Sequence, residues 1–438
     1  MSSSLVNPEA PNITISKRFT GKQCIPYIAK HSKENGRNLS WGVAGRSEEK
    51  LKSVLKEMGD KIDSNLDSIQ VIVADVKDPA SMLRMAKQAK LIINCVGPYR
   101  FFGEPVVDAC VEAGTHHIDV TAESDYMEAM QLKHYQSAKE KGVYVISGCG
   151  LECIPVDLGT VFLQQKFEGT LHSVNTYTEL SKVNGLPKGP LFNYGTWNSF
   201  INYLSNWKQI QREKKRFNET FKKPPVFPPK LAFNLLPHYV KIAKGWTVPY
   251  LTADRSVARR SQSYLYENEN IRPVQVGTYL ILPWLIEALV VIFAVLVFAV
   301  LSRFKLGKKL LLEYPKLFTF GLSSKKTPLT GDIENCRLIL HFYGLGWKEK
   351  IANKDEQINK PPNKAVTALV KGSNPGYGAT CLFLVLTAIT LLTETDKMAN
   401  KGKGGVLPPG AAFAKTTLVD QLNRNGVTFE ILSEEELK

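Results

Sequence analysis

Four short segments put small, charged or hydrogen-bonding residues directly after apolar runs, where a parallel sheet would present them to a ligand. Gly45-Arg46-Ser47 follows SWGVA. A guanidinium beside a hydroxyl suits a ribose 2'-phosphate through charge-assisted hydrogen bonds, whereas a cofactor with a free 2'-hydroxyl usually meets Asp or Glu there. The pair favours NADP over NAD; the plainer reading is a surface arginine and an ordinary N-cap serine. Asp75-Val76 follows IQVIVA and offers a carboxylate and a backbone amide to an adenine edge. The run KLIINCVGPY carries Asn94, Val96, Gly97 and Pro98 at its end, where a low, fixed backbone lets a nicotinamide ribose approach. Gly148-Cys149-Gly150 offers the same kind of backbone. Without a ligand, both segments read as tight turns.

No catalytic acid or base is assigned. Cys149, Glu152, Cys153 and Asp157 lie where the chain leaves its first domain, and a cleft between domains is the default place for a substrate. A buried carboxylate or thiol there would serve as an acid, while Asp157 equally reads as a cap. Tyr135-x-x-x-Lys139 copies the Tyr/Lys spacing of short-chain reductases but falls on the helix before the sixth strand. With 16 tyrosines in a basic chain, such a spacing arises by chance, and it is read as surface.

The elements that must position these residues are legible. Strands are predicted at 12–16, 40–44, 69–74, 90–95, 116–119 and 142–147, separated by helices that begin near Phe19, Glu48, Pro79, Glu104 and Ser124. Ser47 and Asp78 are N-caps, and Pro79 sits where a helix tolerates a missing N–H. Six strands with five intervening helices make an α/β, doubly wound parallel Rossmann sheet over residues 1–150.

A second α/β domain is predicted from 151, its first part running to 278. A helix at 155–167 leads into a strand at 170–180, and further strands at 334–343 and 364–371 are expected to join it in one sheet. The basic stretch 211–230, QREKKRFNETFKKPPVFPPK, reads as a solvated loop or, less favoured, a membrane-facing patch. Residues 279–301 carry one charge, Glu287, and as one helix would reach about 35 Å, enough to cross a ~30 Å hydrocarbon layer. A basic flank follows, so 279–326 is expected to be a hydrophobic membrane or lipid-droplet anchor. Strands on both sides of it in one sheet, and Lys/Arg on both flanks, require it to enter from one face only. The shorter run 379–392 is assigned to the core, and 327–438 to completion of the second domain.

Composition agrees with this picture. The chain has 438 residues, 56 basic against 41 acidic side chains and 44% hydrophobic content, which excludes a mostly disordered protein. Seven cysteines include no Cys-x-x-Cys pair, so neither a disulfide framework nor a zinc cluster is indicated. The opening MSSSLVNPEAPN has no apolar run, so no secretory signal is expected. An excess of +15 with no zinc finger, RNP motif or helix-turn-helix points away from nucleic acid and toward an anionic membrane surface.

Phe19-Thr20-Gly21, WGVAGRS, NCVGPYRFFGEPVVDAC, GCGLECIPVDLG, the long apolar stretch and GGVLPPGAAF together resemble the saccharopine dehydrogenase-like oxidoreductases over nearly the whole chain. The resemblance implies an NADP-type Rossmann domain, with Thr20 and Gly21 at the cofactor, followed by a second α/β domain whose sheet mediates a homodimer. It also implies a lipid-like substrate at a membrane or lipid-droplet surface, because the family includes trans-acting enoyl reductases of glycolipid synthesis and droplet-associated animal members. The expected location is the cytosolic face of a membrane, a lipid droplet or the ER, with the mitochondrion as an alternative. The family's first turn reads Gly-Ala-Ser/Thr-Gly-Phe-Thr-Gly; here Ile15 stands at the first glycine and Arg18 at the second. Side chains at both would crowd a pyrophosphate, and Lys17 and Arg18 compensate only in part. That departure keeps open an alternative function, a non-catalytic Rossmann scaffold anchored at lipid.

Overall fold

The computed structural model describes residues 11–16, 19–36, 38–182, 192–325, 336–373 and 378–437. The chain forms two compact units. One comprises the residues up to Thr121, Asp125–Gly150 and Thr380–Gln421; the other comprises Ala122–Ser124, Leu151–Ala379 and the residues from Leu422.

In the first unit, short apolar runs too brief for helices become strands β1 (Ile13–Ser16), β2 (Trp41–Gly45), β3 (Gln70–Val73), β4 (Leu91–Asn94), β5 (His116–Asp119) and β6 (Tyr144–Ile146). Between them run α1 (Phe19–His31), α2 (Glu48–Ile62), α3 (Pro79–Ala86), α4 (Tyr99–Phe102), α5 (Glu104–Ala113) and α6 (Ser124–Glu140). The helices thus begin at the expected residues, and their caps explain why. Ser47 Oγ accepts the Lys50 N–H at 3.3 Å, and Asp78 Oδ1 accepts the Ala80 N–H at 3.1 Å with Pro79 at the first helical position. Every strand pair is parallel, in the order β15-β6-β5-β4-β1-β2-β3, where β15 is Gly405–Leu407. The order reverses at β1, which lies between β2 and β4, so a ligand crevice opens at the carboxyl ends of those strands.

Two features of this unit depart from expectation. The sheet has a seventh strand, β15, whose three residues are too few to show a period in the sequence. Residues 380–421 join the first unit rather than completing the second. The reason is α14 (Thr380–Thr393), which is apolar on every face and buried almost throughout; such a helix needs cover all round, and it packs against α1 and β4. The core assignment of 379–392 therefore holds, in the other unit.

The second unit begins with α7 (Ile154–Lys166) and β7 (Thr170–Lys182). Its mixed sheet has the order β16-β14-β13-β7-β11-β10-β9, with β9 His238–Val240, β10 Gly245–Pro249, β11 Gln275–Leu282, β13 Cys336–Trp347, β14 Lys364–Ser373 and β16 Val427–Glu436. β7 pairs parallel with β11 and antiparallel with β13, so strands before and after the apolar stretch do share one sheet. β8 (Phe192–Asn193) and β12 (Ser323–Ser324) form a separate pair.

The apolar stretch itself is not one helix. Tyr279–Leu282 belong to β11, where Tyr279 is buried and stacks its ring on Tyr177 and Phe233. Pro283 explains the break, because the residue before a proline is driven out of the helical region and proline has no N–H to continue a ladder. Past the break the chain enters α11 (Leu285–Leu301), 17 residues and about 25 Å long. Among the described residues no helix is long and apolar enough to cross a membrane. α11 turns back through α12 (Lys305–Glu313) and α13 (Pro315–Phe318). One side of this hairpin packs on α8 (Tyr194–Ser205) through a core of Trp197, Ile201, Phe298 and Leu311.

The basic stretch also differs from the loop we expected. Residues 211–220 lie inside α9 (Trp207–Thr220), because Ile210 and Phe217, seven apart, bury one face while the lysines and arginines, good helix formers, occupy the rest. The prolines from Pro224 onward fall after the helix has ended.

Candidate functional site

At the carboxyl edge of the first sheet, Ser16 ends β1 and clamps it to β4. Its hydroxyl accepts the Cys95 N–H at 2.7 Å and donates to the Ile93 carbonyl at 3.3 Å. Ile15 is a strand residue with a buried side chain, so it does not stand in the turn, which corrects the expected crowding at that position; Lys17 and Arg18 lie outside the described residues. Thr20 and Gly21 fall in the first turn of α1, which carries no acidic residue. A Cβ on Gly21 would lie 2.2 Å from the Ser16 carbonyl oxygen. Only glycine permits this approach, which brings the positive end of the α1 dipole down to the strand ends.

Next to it, β2 delivers Gly45, Arg46 and Ser47. Arg46 is exposed and has no ion-pair or hydrogen-bond partner among the described residues. Ser47 uses a lone pair on its helix cap and keeps its proton for another acceptor. Glu48 is engaged by Lys52 at 2.7 Å, and its carboxyl is held below the usual range by that ammonium. The acidic side chain that follows Ser47 in sequence is therefore already engaged by a lysine.

After β3, Asp75 is occupied with its own turn, Oδ1 accepting the Lys77 N–H at 3.1 Å, while Val76 packs in part against the core under α3. After β4, Asn94 shapes the loop. Its Oδ1 accepts the Val96 N–H at 2.9 Å, its Nδ2 approaches His117 Nε2 at 3.3 Å, and its carbonyl accepts the Tyr99 hydroxyl at 2.9 Å. Burial pushes His117 down to about 3, so the ring stays neutral and Nε2 can accept. Gly97 and Pro98 are held half-exposed between these anchors.

The sequence reading missed Asp119. It ends β5, fully buried, and its carboxylate gathers the Thr121 N–H at 3.0 Å, the Gly148 N–H at 3.0 Å and the Ser147 hydroxyl at 2.8 Å. Burial pushes it up to about 6 against the pull of these hydrogen bonds. Asp119 thereby ties together the loops after β5 and β6, including Gly148-Cys149-Gly150. The available signal was an acid closing the strand run HHID just ahead of a bare-backbone turn.

Of the other candidates, Cys149 is buried with its thiol directed at the Ile146 carbonyl, and Asp157 is buried in α7, accepting the Ser261 hydroxyl at 2.8 Å. Lys139 rests its ammonium over the Tyr135 ring, 5.1 Å from the centroid, a pairing between neighbours on one helix. Cys24, Cys95, Cys110, Cys149, Cys153 and Cys381 are buried and not joined in disulfides.

The residues present fit an NADP-type dinucleotide. A glycine-permitted helix start would meet a pyrophosphate, and an exposed guanidinium with a hydroxyl would meet a 2'-phosphate. Comparison with known proteins agrees. Residues 19–146 match the family model for the saccharopine dehydrogenase NADP binding domain. The chain is 37% identical over 423 residues to a human saccharopine dehydrogenase-like oxidoreductase, covering 96% of each. It is 34% identical to a lipid droplet localized protein of Caenorhabditis elegans, covering 96% of this chain and 97% of that one. Saccharopine dehydrogenase (L-Glu forming) from Saccharomyces cerevisiae shares the fold with a TM-score of 0.54 at 13% identity, over 97% of this chain and 100% of that one. A Rossmann unit of the NADP(H)-binding kind, at the head of a chain alike from end to end, makes this protein a member of the saccharopine dehydrogenase-like oxidoreductase family.

Proposed function

We propose that the protein is an NADP(H)-dependent oxidoreductase that works on a lipid-like substrate, with the α11–α13 hairpin laid shallowly in a membrane or lipid-droplet surface from one side. The observation that carries this reading is the exposed face of the hairpin. Trp284, Ile286, Phe293 and Leu296 are 67%, 65%, 69% and 60% exposed, on a helix whose only buried residues are Ala288 and Phe298. Phe304, Leu306, Leu317 and Phe320 extend the same character beyond it. A contiguous apolar surface of this extent is unusual on a soluble protein and marks an interaction site. The hairpin is too short to span, and the strands on its two sides close one sheet, which suits a wedge in one leaflet or in a droplet monolayer. The droplet-localized relative supports this location.

At the other site, Thr20, Gly21, Arg46 and Ser47 hold the pyrophosphate and 2'-phosphate, Asp75 and Val76 flank the adenine, and Asn94, Val96, Gly97 and Pro98 border the nicotinamide ribose. The bound cofactor supplies or accepts a hydride; the chain's own residues bind and orient it. Flotation with phosphatidylcholine vesicles tests the surface. The triple variant Phe293→Ser, Leu296→Ser, Val300→Ser should stay with the unbound fraction, since each exposed apolar side chain contributes about 1 kcal/mol to insertion. NADPH titration tests the nucleotide site. Vesicle binding without NADPH binding would favour the non-catalytic scaffold; unchanged flotation of the triple variant would remove the lipid reading.

A further inference from the structure

Helix α9 carries a stripe of positive charge with nothing set against it. Ile210 and Phe217 are its buried residues, and the guanidinium of Arg260 from α10 (Asp254–Asn268) lies over the Phe217 ring, 5.8 Å from the centroid. At 3.6 residues per turn, Lys208, Arg212 and Lys215, spaced four and three apart, fall on the side away from that contact. All three are exposed, and none has an ion pair or hydrogen bond among the described residues. Glu219 follows them on the same side without pairing there, and Glu213 accepts instead from Gln209, at 2.8 Å.

The stripe begins beside the helix that clamps the hairpin. α9 follows α8 after a single residue, Asn206, whose N–H bonds the Asn202 carbonyl at 3.0 Å and whose carbonyl accepts the Ile210 N–H at 3.0 Å. Across that joint the exposed Trp207 meets the Tyr203 ring edge-on, with centroids 5.8 Å apart. α8 in turn holds the hairpin through Trp197 and Ile201. The hairpin has the same mixed character, for exposed Arg303, Lys305 and Lys316 adjoin exposed Phe304, Leu306 and Leu317 in sequence. Residues 207–223 carry seven basic against two acidic side chains, and residues 302–325 six against one. Two short segments thus hold two-thirds of the chain's net charge of +15.

From this arrangement we infer that Lys208, Arg212 and Lys215 of α9, with the basic residues of the hairpin, form a docking surface for the headgroups of anionic phospholipids. Like charges lined up on one face repel one another, and an anionic surface relieves that repulsion. Each basic side chain near an anionic leaflet adds about fivefold in affinity, and a tryptophan settles at the level of the headgroups. A zwitterionic surface would cover the leucines and leave the charges unmatched. A nucleic acid would match the charges and leave the leucines beside them in water. An anionic lipid surface answers both. The inference deepens the lipid reading proposed above and rests on it for the hairpin; it assigns the charge of that surface and adds α9 as the element that reads it.

The test is flotation of the full-length protein with two kinds of vesicle, phosphatidylcholine alone and phosphatidylcholine with one part in five of phosphatidylserine. At low ionic strength the unaltered protein should prefer the anionic vesicles roughly a hundredfold, and the preference should shrink as salt rises. The triple variant Lys208→Gln, Arg212→Gln, Lys215→Gln should lose about tenfold or more of that preference without lowering uptake by phosphatidylcholine. Glutamine keeps the helix propensity of these positions, so the variant retains α9. Equal uptake of the two vesicles, a preference indifferent to salt, or one that survives the triple substitution would overturn the inference and leave the lipid reading standing. A short single-stranded RNA that binds through the same three residues more tightly than the anionic vesicles would overturn it in favour of nucleic acid. Anionic flotation lost with the glutamines but unchanged in Phe293→Ser, Leu296→Ser, Val300→Ser would uphold the α9 surface and remove the inserted hairpin. Uptake by neither vesicle would sink both readings.

Discussion

Gly21 faces the Ser16 carbonyl so closely that a methyl group on it would lie 2.2 Å from that oxygen. The obstacle is backbone at the end of β1, itself pinned to β4 through the Ser16 hydroxyl, and so cannot swing aside. Gly21→Ala should therefore push the first turn of α1 away from the strand ends, at a cost of about 1–3 kcal/mol. Thermal unfolding with and without NADPH checks this. The apo melting temperature should fall, and the stabilisation given by NADPH should shrink, because the helix start that meets the pyrophosphate has moved.

On the proposed reading, Arg46 carries the choice between cofactors. Its guanidinium is exposed and unpaired among the described residues, so its removal disturbs no fold contact seen there. A charge-assisted pair with a 2'-phosphate is worth about 1.5–3 kcal/mol. Arg46→Ala should weaken NADPH binding roughly tenfold or more and leave NADH almost untouched. Fluorescence titration of both reduced cofactors against both proteins measures the difference; equal losses for the two would deny Arg46 the phosphate.

These two residues also show how far a sequence can be read. Arg46 was visible because a short apolar run followed by Gly-Arg-Ser and a capped helix has few other structures open to it, and β2, Ser47 and α2 all lie where that logic puts them. Ser16 and Asp119 were not visible, because their importance lies in tying loops from different strands, and those pairings are long-range. The apolar stretch was misjudged as one continuous, membrane-length helix. Hydropathy reports what a segment avoids, not its backbone state, and Tyr279–Leu282 satisfy the same apolar demand as strand residues. Pro283 was the local clue. Helix α14 shows the converse: its burial was evident, but which unit would cover it was not.

Asp119 gives the first unit a pH dependence of known sign. Its folded value of about 6 lies above the ordinary 3.8, so the folded state holds the proton more tightly than the unfolded chain. The contribution is most favourable below about pH 4, declines as pH rises to about 6, and is constant above that. The size is about 2–3 kcal/mol. Asp119→Asn removes the buried charge while keeping an oxygen for the Thr121 and Gly148 amides. The difference in denaturant stability between the two proteins should therefore change between pH 4 and 6 and remain flat from 6.5 to 8; a flat difference throughout would mean that Asp119 does not titrate there.

Trp197 stands at the centre of the cluster that holds the hairpin. Its Nε1–H donates to the Leu311 carbonyl at 2.8 Å, and its ring meets the Phe298 ring edge-on with centroids 5.2 Å apart. Tyr194 adds a hydroxyl bond to the Leu312 carbonyl at 3.1 Å. Most of α11 faces outward, and among the described residues Ala288 and Phe298 are its buried ones. Trp197→Ala removes a buried aromatic and frees a buried carbonyl, a loss of about 3–5 kcal/mol that the hairpin alone must absorb. Trp197→Phe keeps most of the packing and forfeits about 1 kcal/mol for the hydrogen bond. Hydrogen–deuterium exchange resolves the outcome by segment. In the alanine variant, amides of 285–318 should exchange much faster while those of β7 and β13 keep their protection, and the phenylalanine variant should lie between it and the unaltered protein. Uniform acceleration across the second unit would instead mean that the hairpin and the sheet unfold together.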